Sequence, residues 1–590
     1  MTTARPEPHA DFLTLPDALR YRSERQSHKT AYVFLKDGED AEESLTYREL
    51  HEAACRRAAA LTAAGLAGRN AVLMYPSGLE FVRTLLGCMY GRVVGAPVQP
   101  PRRRAEVERL RRIADDAGTA TVLTTTEVLR DLRERFGDLP ALDGLDLVAT
   151  DDPGLLSTGE GGAPERFPDP RDIALLQYTS GSTGHPKGVM VSHANFLANA
   201  VETDALWPCE PDGTVVNWLP LFHDMGMLFG VVLPLWAGIP SYLMAPDSFV
   251  RRPARWLEAI SRFRGTHSAA PSFAYELCVR AAENGMTAGV GDLSSWRVAA
   301  NGAEPVRWST VRAFTDTFAP HGFDPLAMCP GYGLAENTLK ATGTGADREP
   351  AVLWLSAEAL REGRAQPVGE RADRAVPVVG SGRPVAGTRI RIVDPVTRRP
   401  RPPGQVGEVW ISGPCVADGY WGRPAVSEET FRARVADDHE DAAGAPHLRT
   451  GDLGFLYGGD LYITGRMKDV IVRKGRNHYP QDIELSAERS VPGVQPNGTA
   501  AFSLDDGERE RLVVVVEADG RVLGALDAET LRARVRDAVR AEQRITPDDV
   551  VVVRRGKLPK TSSGKVQRQA CRSLYQDGAL TRLVPSAREA

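Results

Sequence analysis

Tyr178-Thr-Ser-Gly-Ser-Thr-Gly-His-Pro-Lys-Gly188 packs four Ser/Thr hydroxyls, three glycines and one lysine into eleven positions. Glycine lets a backbone approach an anion closely and adopt left-handed angles. Backbone N–H groups and hydroxyls can then surround phosphate oxygens. The tract follows a short apolar run at 173–176 with the pattern of a buried strand, and a second apolar run follows it. A flexible Ser/Gly linker rarely sits between two such runs. A P-loop of the GxxxxGK[ST] kind is ruled out, because Lys187 stands between Pro186 and Gly188. The tract reads as a phosphate-binding loop between two strands.

The pattern continues on both sides. Thr46 and Glu49 form a capping box, with Leu45 and Leu50 placed as a hydrophobic staple. The helix they open ends at Gly65, a suitable residue just past a helix end. A buried-strand pattern at 70–74, a helix around 80–91 and an apolar segment ending at Pro97 come next. Strands alternating with helices imply parallel sheet layers, hence an α/β fold. Residues 151–170 read as a surface loop, 394–407 as a turn region and 436–446 as an acidic loop. Pro253 opens a helix with Trp256, Ile260 and Phe263 on one face. The last stretch has its own rhythm: strand 512–517, helix 528–543 with Leu531, Val535 and Val539 in register, strand 549–553. That pattern suffices for a small separate domain.

The chain has 590 residues, so two or more folded units are expected. Hydrophobic residues make up 42% and charged residues 25%, an ordinary globular balance, and the formal net charge is −5. No nucleic-acid partner is implied, since that needs a strongly basic surface; the triplet Arg102-Arg103-Arg104 reads as a solvated helix start. Seven scattered cysteines without a CxxC pair argue against a disulfide framework or a zinc site. Residues 1–11 lack the apolar core of a secretory signal, and the longest apolar stretch, 225–239, is too short to span a membrane. A cytoplasmic enzyme without stable membrane insertion is the expectation.

Six further motifs follow the phosphate tract in order: Leu219-Pro-Leu-Phe-His-Asp-Met-Gly226, Asn301-Gly-Ala-Glu-Pro305, Gly331-Tyr-Gly-Leu-Ala-Glu-Asn337, Arg449-Thr-Gly-Asp-Leu-Gly454, Thr464-Gly-Arg-Met-Lys-Asp469 and Leu558-Pro-Lys-Thr-Ser-Ser-Gly-Lys-Val-Gln-Arg568. Each also has a plain structural reading. Asp452 suits a turn, Glu336 a helix start, His223 a satisfied buried histidine, and 301–305 a strand-to-helix turn. As an ordered set the motifs resemble the adenylate-forming superfamily of acyl ligases, adenylation domains and luciferases, over nearly the whole chain.

That resemblance implies the roles. Thr179, Ser180, Gly181, Ser182, Thr183, Gly184 and Lys187 would hold ATP phosphates. Asn301, Gly302, Ala303 and Glu304 would line the adenine. Gly331, Tyr332 and Gly333 would carry the stacking ring, and Glu336 would hold Mg²⁺. Asp452 would bind the ribose, with Arg466 beside it. His223 would lie near the acyl site, Lys468 at the pivot, and Lys565 would be the catalytic lysine. The division implied is an N-terminal ATP- and acyl-binding region, 1–464, of layered sheets and helices, a hinge at 465–470, and a small mobile α+β lid, 471–590. The site would lie in the cleft between the large region and the lid. The chemistry suits the residues: a carboxylate and a phosphate are both anions, so charge neutralisation and positioning dominate their union. Mg²⁺ prefers hard oxygen ligands, and lysine is a compact point charge.

Within the superfamily, Pro330–Leu339, Leu558–Arg568 and Ala270-Pro-Ser-Phe-Ala-Tyr-Glu-Leu277 resemble the fatty acyl-AMP ligases. So does an extra segment at 346–376, with a strand-like 351–355 and a helix capped by Ser356. In that branch such an insertion packs on the lid and discourages CoA use, and the acyl group goes to the phosphopantetheine arm of an acyl carrier protein or a synthase carrier domain. A neutral surface insertion is the alternative. Met225, Met227, Phe229 and Phe273 are candidates for the acyl pocket, or else ordinary core. Three other functions stay open: an acyl- or aryl-CoA ligase, an amino-acid-activating enzyme, and a non-catalytic nucleotide-binding homologue.

Overall fold

The computed structural model describes residues 12–157, 166–179, 186–385, 387–436, 444–473, 476–505, 510–561 and 564–580. Two large sheets carry the first part of the chain. One has the strand order Asp146–Ala149, Thr121–Thr124, Asn70–Met74, Val94–Val98, Ile173–Thr179, Lys187–Ser192. All its neighbours are parallel except the last pair. Its central strands are short apolar runs because both faces are covered; Val72, Leu73, Leu123, Leu175 and Leu176 are fully buried.

The second sheet runs from Arg383–Pro384 through Lys340–Gly343, Met328–Gly333, Val298–Asn301, His267–Ala270, Val215–Asn217, Ser241–Met244 and Thr30–Lys36 to Asp40–Thr46. Its central strands are parallel. A four-stranded antiparallel sheet follows, Arg389–Val393, Gly407–Ser412, Leu448–Tyr457 and Asp460–Arg466. After the 3₁₀ turn Met467–Asp469, the strands Thr499–Asp505, Glu510–Ala518 and Asp549–Arg554 form a sheet with the helices Pro480–Ser490, Ala528–Gln543 and Arg568–Gln576 around it. Apolar clusters centred on Val514, Val535 and Val552, and on Val513, Val551 and Cys571, belong to this last part alone.

Local chemistry explains the elements. The helix Tyr47–Ala63 begins with the reciprocal Thr46/Glu49 capping box, and Gly65 follows at φ +73°. Leu45 and Leu50, the staple pair, are both buried. The helix Arg104–Ala117 starts at the basic triplet, with Arg102 ion-paired to Asp247 at 2.6 Å on the surface. The stretch 151–170 differs from the loop expected there: it carries the helix Pro153–Ser157, for which Pro153 supplies the preset φ of a first helical residue. Residues 158–165, and 437–443 of the acidic loop, lie outside the described residues.

The 346–376 segment contains the strand Val352–Ser356 and the helix Ala357–Arg361, capped by the Ser356 hydroxyl, which accepts from the Ala359 N–H at 3.3 Å. A return strand, Ala375–Val379, pairs antiparallel with the first. All seven cysteines are free and buried. Among the described residues no cluster of three or more His, Cys, Asp or Glu side chains is placed to hold a metal ion, and no helix is long and apolar enough to cross a membrane.

Candidate functional site

Four of the sequence motifs sit at the carboxyl ends of strands in the two large, mainly parallel sheets, where open α/β sheets place their ligand crevices. The phosphate tract leaves Ile173–Thr179, the His223 motif follows Val215–Asn217, the Asn301 motif follows Val298–Asn301, and Gly331, Tyr332 and Gly333 end Met328–Gly333. Together with Asp452, Arg466 and the Lys565 arm they line one cleft of about 2690 Å³. Thr179 and Lys187 face each other across the antiparallel hairpin root. Ser180, Gly181, Ser182, Thr183 and Gly184 lie outside the described residues.

Glycine allows the close approaches around the cleft. A Cβ on Gly333 would stand 2.0 Å from the Leu339 carbonyl oxygen, and one on Gly226 would stand 2.1 Å from the Pro220 oxygen. The first approach lets the tyrosine segment double back on Lys340–Gly343; the second folds the His223 loop against the start of its own helix. The Gln177 side-chain amide donates to the Phe222 carbonyl at 2.8 Å and ties that loop to the phosphate strand.

Asp452 is held by two partners. The antiparallel register sets it opposite Arg466, whose Nε lies 3.1 Å from Oδ1. The Tyr332 O–H donates to Oδ2 at 2.7 Å. Asp452 raises the Arg466 pKa, while burial, and then Asp452, raise that of the Tyr332 phenol. Glu336 accepts from the Tyr420 O–H at 2.8 Å, and the Lys187 ammonium sits 4.9 Å from the centre of the same tyrosine ring. The sequence reading missed Tyr420, which links a phosphate-loop lysine to the carboxylate.

Glu304 joins the two sides of the cleft. It accepts from the Phe273 N–H at 2.6 Å and from the Asn497 amide at 2.9 Å. Burial raises its pKa. Near it Arg307 pairs with Glu488 at 2.9 Å and lies 3.7 Å from Glu276, Arg280 donates to the Val494 carbonyl at 3.0 Å, and Arg489 donates to Ser309 at 3.1 Å. These contacts hold the last part of the chain over the cleft mouth. Arg568, quoted in the last motif without a role, pairs with Glu484 at 2.7 Å and Asp469 at 3.1 Å, and so fixes the base of the Lys565 arm.

Lys565 reaches into the cleft from a tight turn in which its N–H donates to Thr561 Oγ1 at 3.1 Å and its carbonyl accepts from the Thr561 N–H at 2.7 Å. The turn passes so close to Phe273 that a Cβ on Gly564 would stand 3.1 Å from the ring. Burial lowers the Lys565 pKa; Asp224 opposes that shift, Arg466 adds to it, and Glu304 and Asp452 oppose it. Burial lowers the His223 pKa to about 4, with Asp224 opposing and Lys565 and Arg109 adding. At neutral pH this imidazole is uncharged, so it can contribute hydrogen bonds and shape but no fixed charge.

The acyl-pocket candidates separate. Met225 and Phe229 line the cleft, with Trp207 and Leu339 beside them. Met227 does not: it is fully buried in the core, because Met225 and Phe229, four residues apart, share one face of the turn and Met227, two residues from each, falls on the other. Phe273 packs edge-on to Trp218 at 6.4 Å and against the Gly564 turn, so it supports the lysine arm instead of lining the cleft. Lys468 lines the cleft, and burial, then Arg466, lower its pKa. The inserted segment packs Leu355 and Leu360 on Phe455, Tyr462 and Tyr479, and Glu358 meets Arg476 at 3.3 Å.

Comparison with known proteins agrees with this geometry. The AMP-binding enzyme family matches residues 19–421, and a second family described as "Disco-interacting protein 2-like, AMP domain" matches residues 468–583. The medium-chain-fatty-acid–[acyl-carrier-protein] ligase JamA of Moorena producens is 42% identical over 97% of this chain and 96% of its own length. The long-chain-fatty-acid–AMP ligase FadD26 of Mycobacterium tuberculosis is 35% identical over 97% and 98%. The crystal structure of a fatty acid AMP ligase from Legionella pneumophila, 33% identical, superposes with a TM-score of 0.75 over 98% of both chains. The chain belongs to the AMP-binding enzymes, in the branch of fatty acid–AMP and fatty acid–carrier-protein ligases.

Proposed function

We propose that the protein activates a fatty acid with ATP, forming acyl-adenylate and pyrophosphate, and then passes the acyl group to the phosphopantetheine thiol of an acyl carrier protein. The observation that carries this reading is Lys565, delivered by the last part of the chain into a cleft already lined by Lys187, Glu336, Asp452 and Arg466. Residues 1–464 act as the nucleotide- and acyl-binding body, 465–470 as the hinge and 471–590 as the lid.

ATP lies with its ribose on Asp452, whose carboxylate Tyr332 and Arg466 hold in place. Its adenine lies along 301–304 and Tyr332, and its phosphates lie under the 179–187 hairpin. Glu336, a hard oxygen donor steadied by Tyr420, fits Mg²⁺, which would neutralise phosphate charge there. The fatty acid enters beside Met225 and Phe229, and neutral His223 orients its carboxylate. A carboxylate oxygen bonds to the α-phosphorus while the bond to the bridging oxygen breaks, and pyrophosphate leaves. Lys565 stabilises the charge that develops between the two anions. The lid then turns about Lys468 to admit the carrier thiol. The 346–376 insertion, packed under Tyr479, holds the lid in place and disfavours CoA.

The test is one assay with ATP, Mg²⁺ and a panel of fatty acids, alone, with CoA, and with a phosphopantetheinylated carrier protein, read by mass spectrometry. Acyl-AMP and acyl-carrier product without acyl-CoA is the expected result. Abundant acyl-CoA would overturn the acceptor assignment, and no adenylate with any acid would overturn the reading as a whole.

A further inference from the structure

The root of the phosphate hairpin is gripped from behind by Asp116 and Arg423, which lie outside every motif read from the sequence. Tyr178, next to Thr179 on the incoming strand, donates its O–H to Asp116 Oδ2 at 2.9 Å. Asp116 Oδ1 accepts from Arg423 Nη2 at 2.5 Å, and the same nitrogen donates to the Pro186 carbonyl at 3.4 Å, just before the outgoing strand. Both sides of the hairpin thus converge on one carboxylate–guanidinium pair, with the Asp116 side chain only 14% exposed. Arg423 belongs to a segment already stitched to the outgoing strand: the Trp421 N–H donates to the Gly188 carbonyl at 2.8 Å and the Met190 N–H to the Gly419 carbonyl at 2.9 Å. Three residues earlier, Tyr420 underlies Lys187 and donates to Glu336.

We propose that Asp116, acting through Tyr178 and Arg423, is a positioning residue that sets the hairpin root and so the reach of Lys187 toward the nucleotide phosphates. The proposal rests on reading the 179–187 hairpin as the ATP-phosphate site. Without the carboxylate, the Tyr178 hydroxyl and the Arg423 guanidinium both lose an acceptor, and the two edges of the hairpin lose their shared anchor.

The experiment compares Asp116→Ala, Asp116→Asn, Tyr178→Phe, the Asp116→Ala/Tyr178→Phe double variant and Lys187→Ala in fatty-acid-dependent ATP–pyrophosphate exchange. Asp116→Ala should raise KM for ATP roughly tenfold, the scale of a lost charge-assisted hydrogen bond, and leave KM for the fatty acid within about twofold. Tyr178→Phe, which removes one hydroxyl and spares the core, should raise KM for ATP by about threefold, and the double variant should fall short of the product because both act on one carboxylate. Asp116→Asn, which keeps an acceptor oxygen, should restore part of the loss. Equal rises in both KM values with a lowered unfolding midpoint would make Asp116 a general structural contact and overturn the proposal. An unchanged KM for ATP in Asp116→Ala, beside a large rise in Lys187→Ala, overturns it alone. Unchanged values in both variants overturn it together with the reading of the hairpin.

Discussion

The two walls of the cleft are built on different principles. On the large side the acidic candidates have partners within the protein: Asp452 has Tyr332 and Arg466, Glu336 has Tyr420, and Gln177 ties the phosphate strand to the His223 loop. On the other side Lys565 stands on a tight turn held by Thr561, the crowding of Phe273 and the Arg568 clamp. Its ammonium is steadied by charges across the cleft, Asp224 foremost, so its place depends on the last part of the chain staying where it is. A fixed wall suits the parts of a substrate that do not change; a group borne on a lid can be withdrawn once the bond is made.

Variants on the two walls should therefore fail differently. Lys565→Ala should lower kcat for adenylate formation by about 10²–10³, the scale seen when one preorganised donor to developing charge is removed, with little change in ATP affinity. Rapid-quench measurement of acyl-AMP together with equilibrium nucleotide binding checks this, and a large loss of ATP binding would mean that Lys565 also serves in holding the nucleotide. Asp452→Asn should do the reverse. It leaves the Arg466 guanidinium without its ion partner, and KM for ATP should rise by roughly 10–100-fold with a smaller fall in kcat. Steady-state kinetics at saturating fatty acid reads the split.

Local rules made the scaffold legible. The capping box at Thr46, the strand at 70–74 and the helix at 528–543 stand where the pattern of residues put them. The resemblance supplied the roles of the site residues, because nothing in the composition of Arg449-Thr-Gly-Asp or Gly331-Tyr-Gly shows that the two segments meet; that contact is the tertiary hydrogen bond from Tyr332 to Asp452. Met227 faces the core for a reason the apolar pattern hides: in a run apolar on every side, nothing in the sequence marks which helix face looks into the cleft. Asp116 and Arg423, 307 residues apart, were invisible because each has an ordinary neighbourhood in sequence.

The inserted segment joins the two walls. Leu360 is 5% exposed and packs with Phe455, Tyr462 and Tyr479, which come from both parts of the chain. Leu360→Ala should cost about 2–5 kcal/mol of local packing. Arg476→Glu, at an exposed pair with Glu358, should cost about 0–1 kcal/mol. If the insertion restrains the lid, acyl-CoA should become detectable with Leu360→Ala and stay near background with Arg476→Glu, while adenylate formation changes by less than about threefold in each. Acyl-CoA absent from Leu360→Ala would leave the insertion without a part in acceptor choice.

The smallest expected effect is a displacement along the pH axis, and it tests what holds the lysine. Burial lowers the Lys565 pKa, and Asp224 opposes that shift from across the cleft. In the proposed role of Lys565 the charged ammonium is the active form. Activity should therefore fall as pH rises through that lowered pKa, short of the usual lysine range near 10.4. Asp224→Asn removes the largest opposing charge, so the alkaline limb of kcat for adenylate formation should move to lower pH. Lys565→Arg, whose guanidinium stays protonated, should lack that limb whatever activity it retains. A limb that stays in place with Asp224→Asn would mean that the charges across the cleft do not hold Lys565 during the reaction, and the contrast between a fixed wall and a borrowed lysine would lose its electrostatic basis.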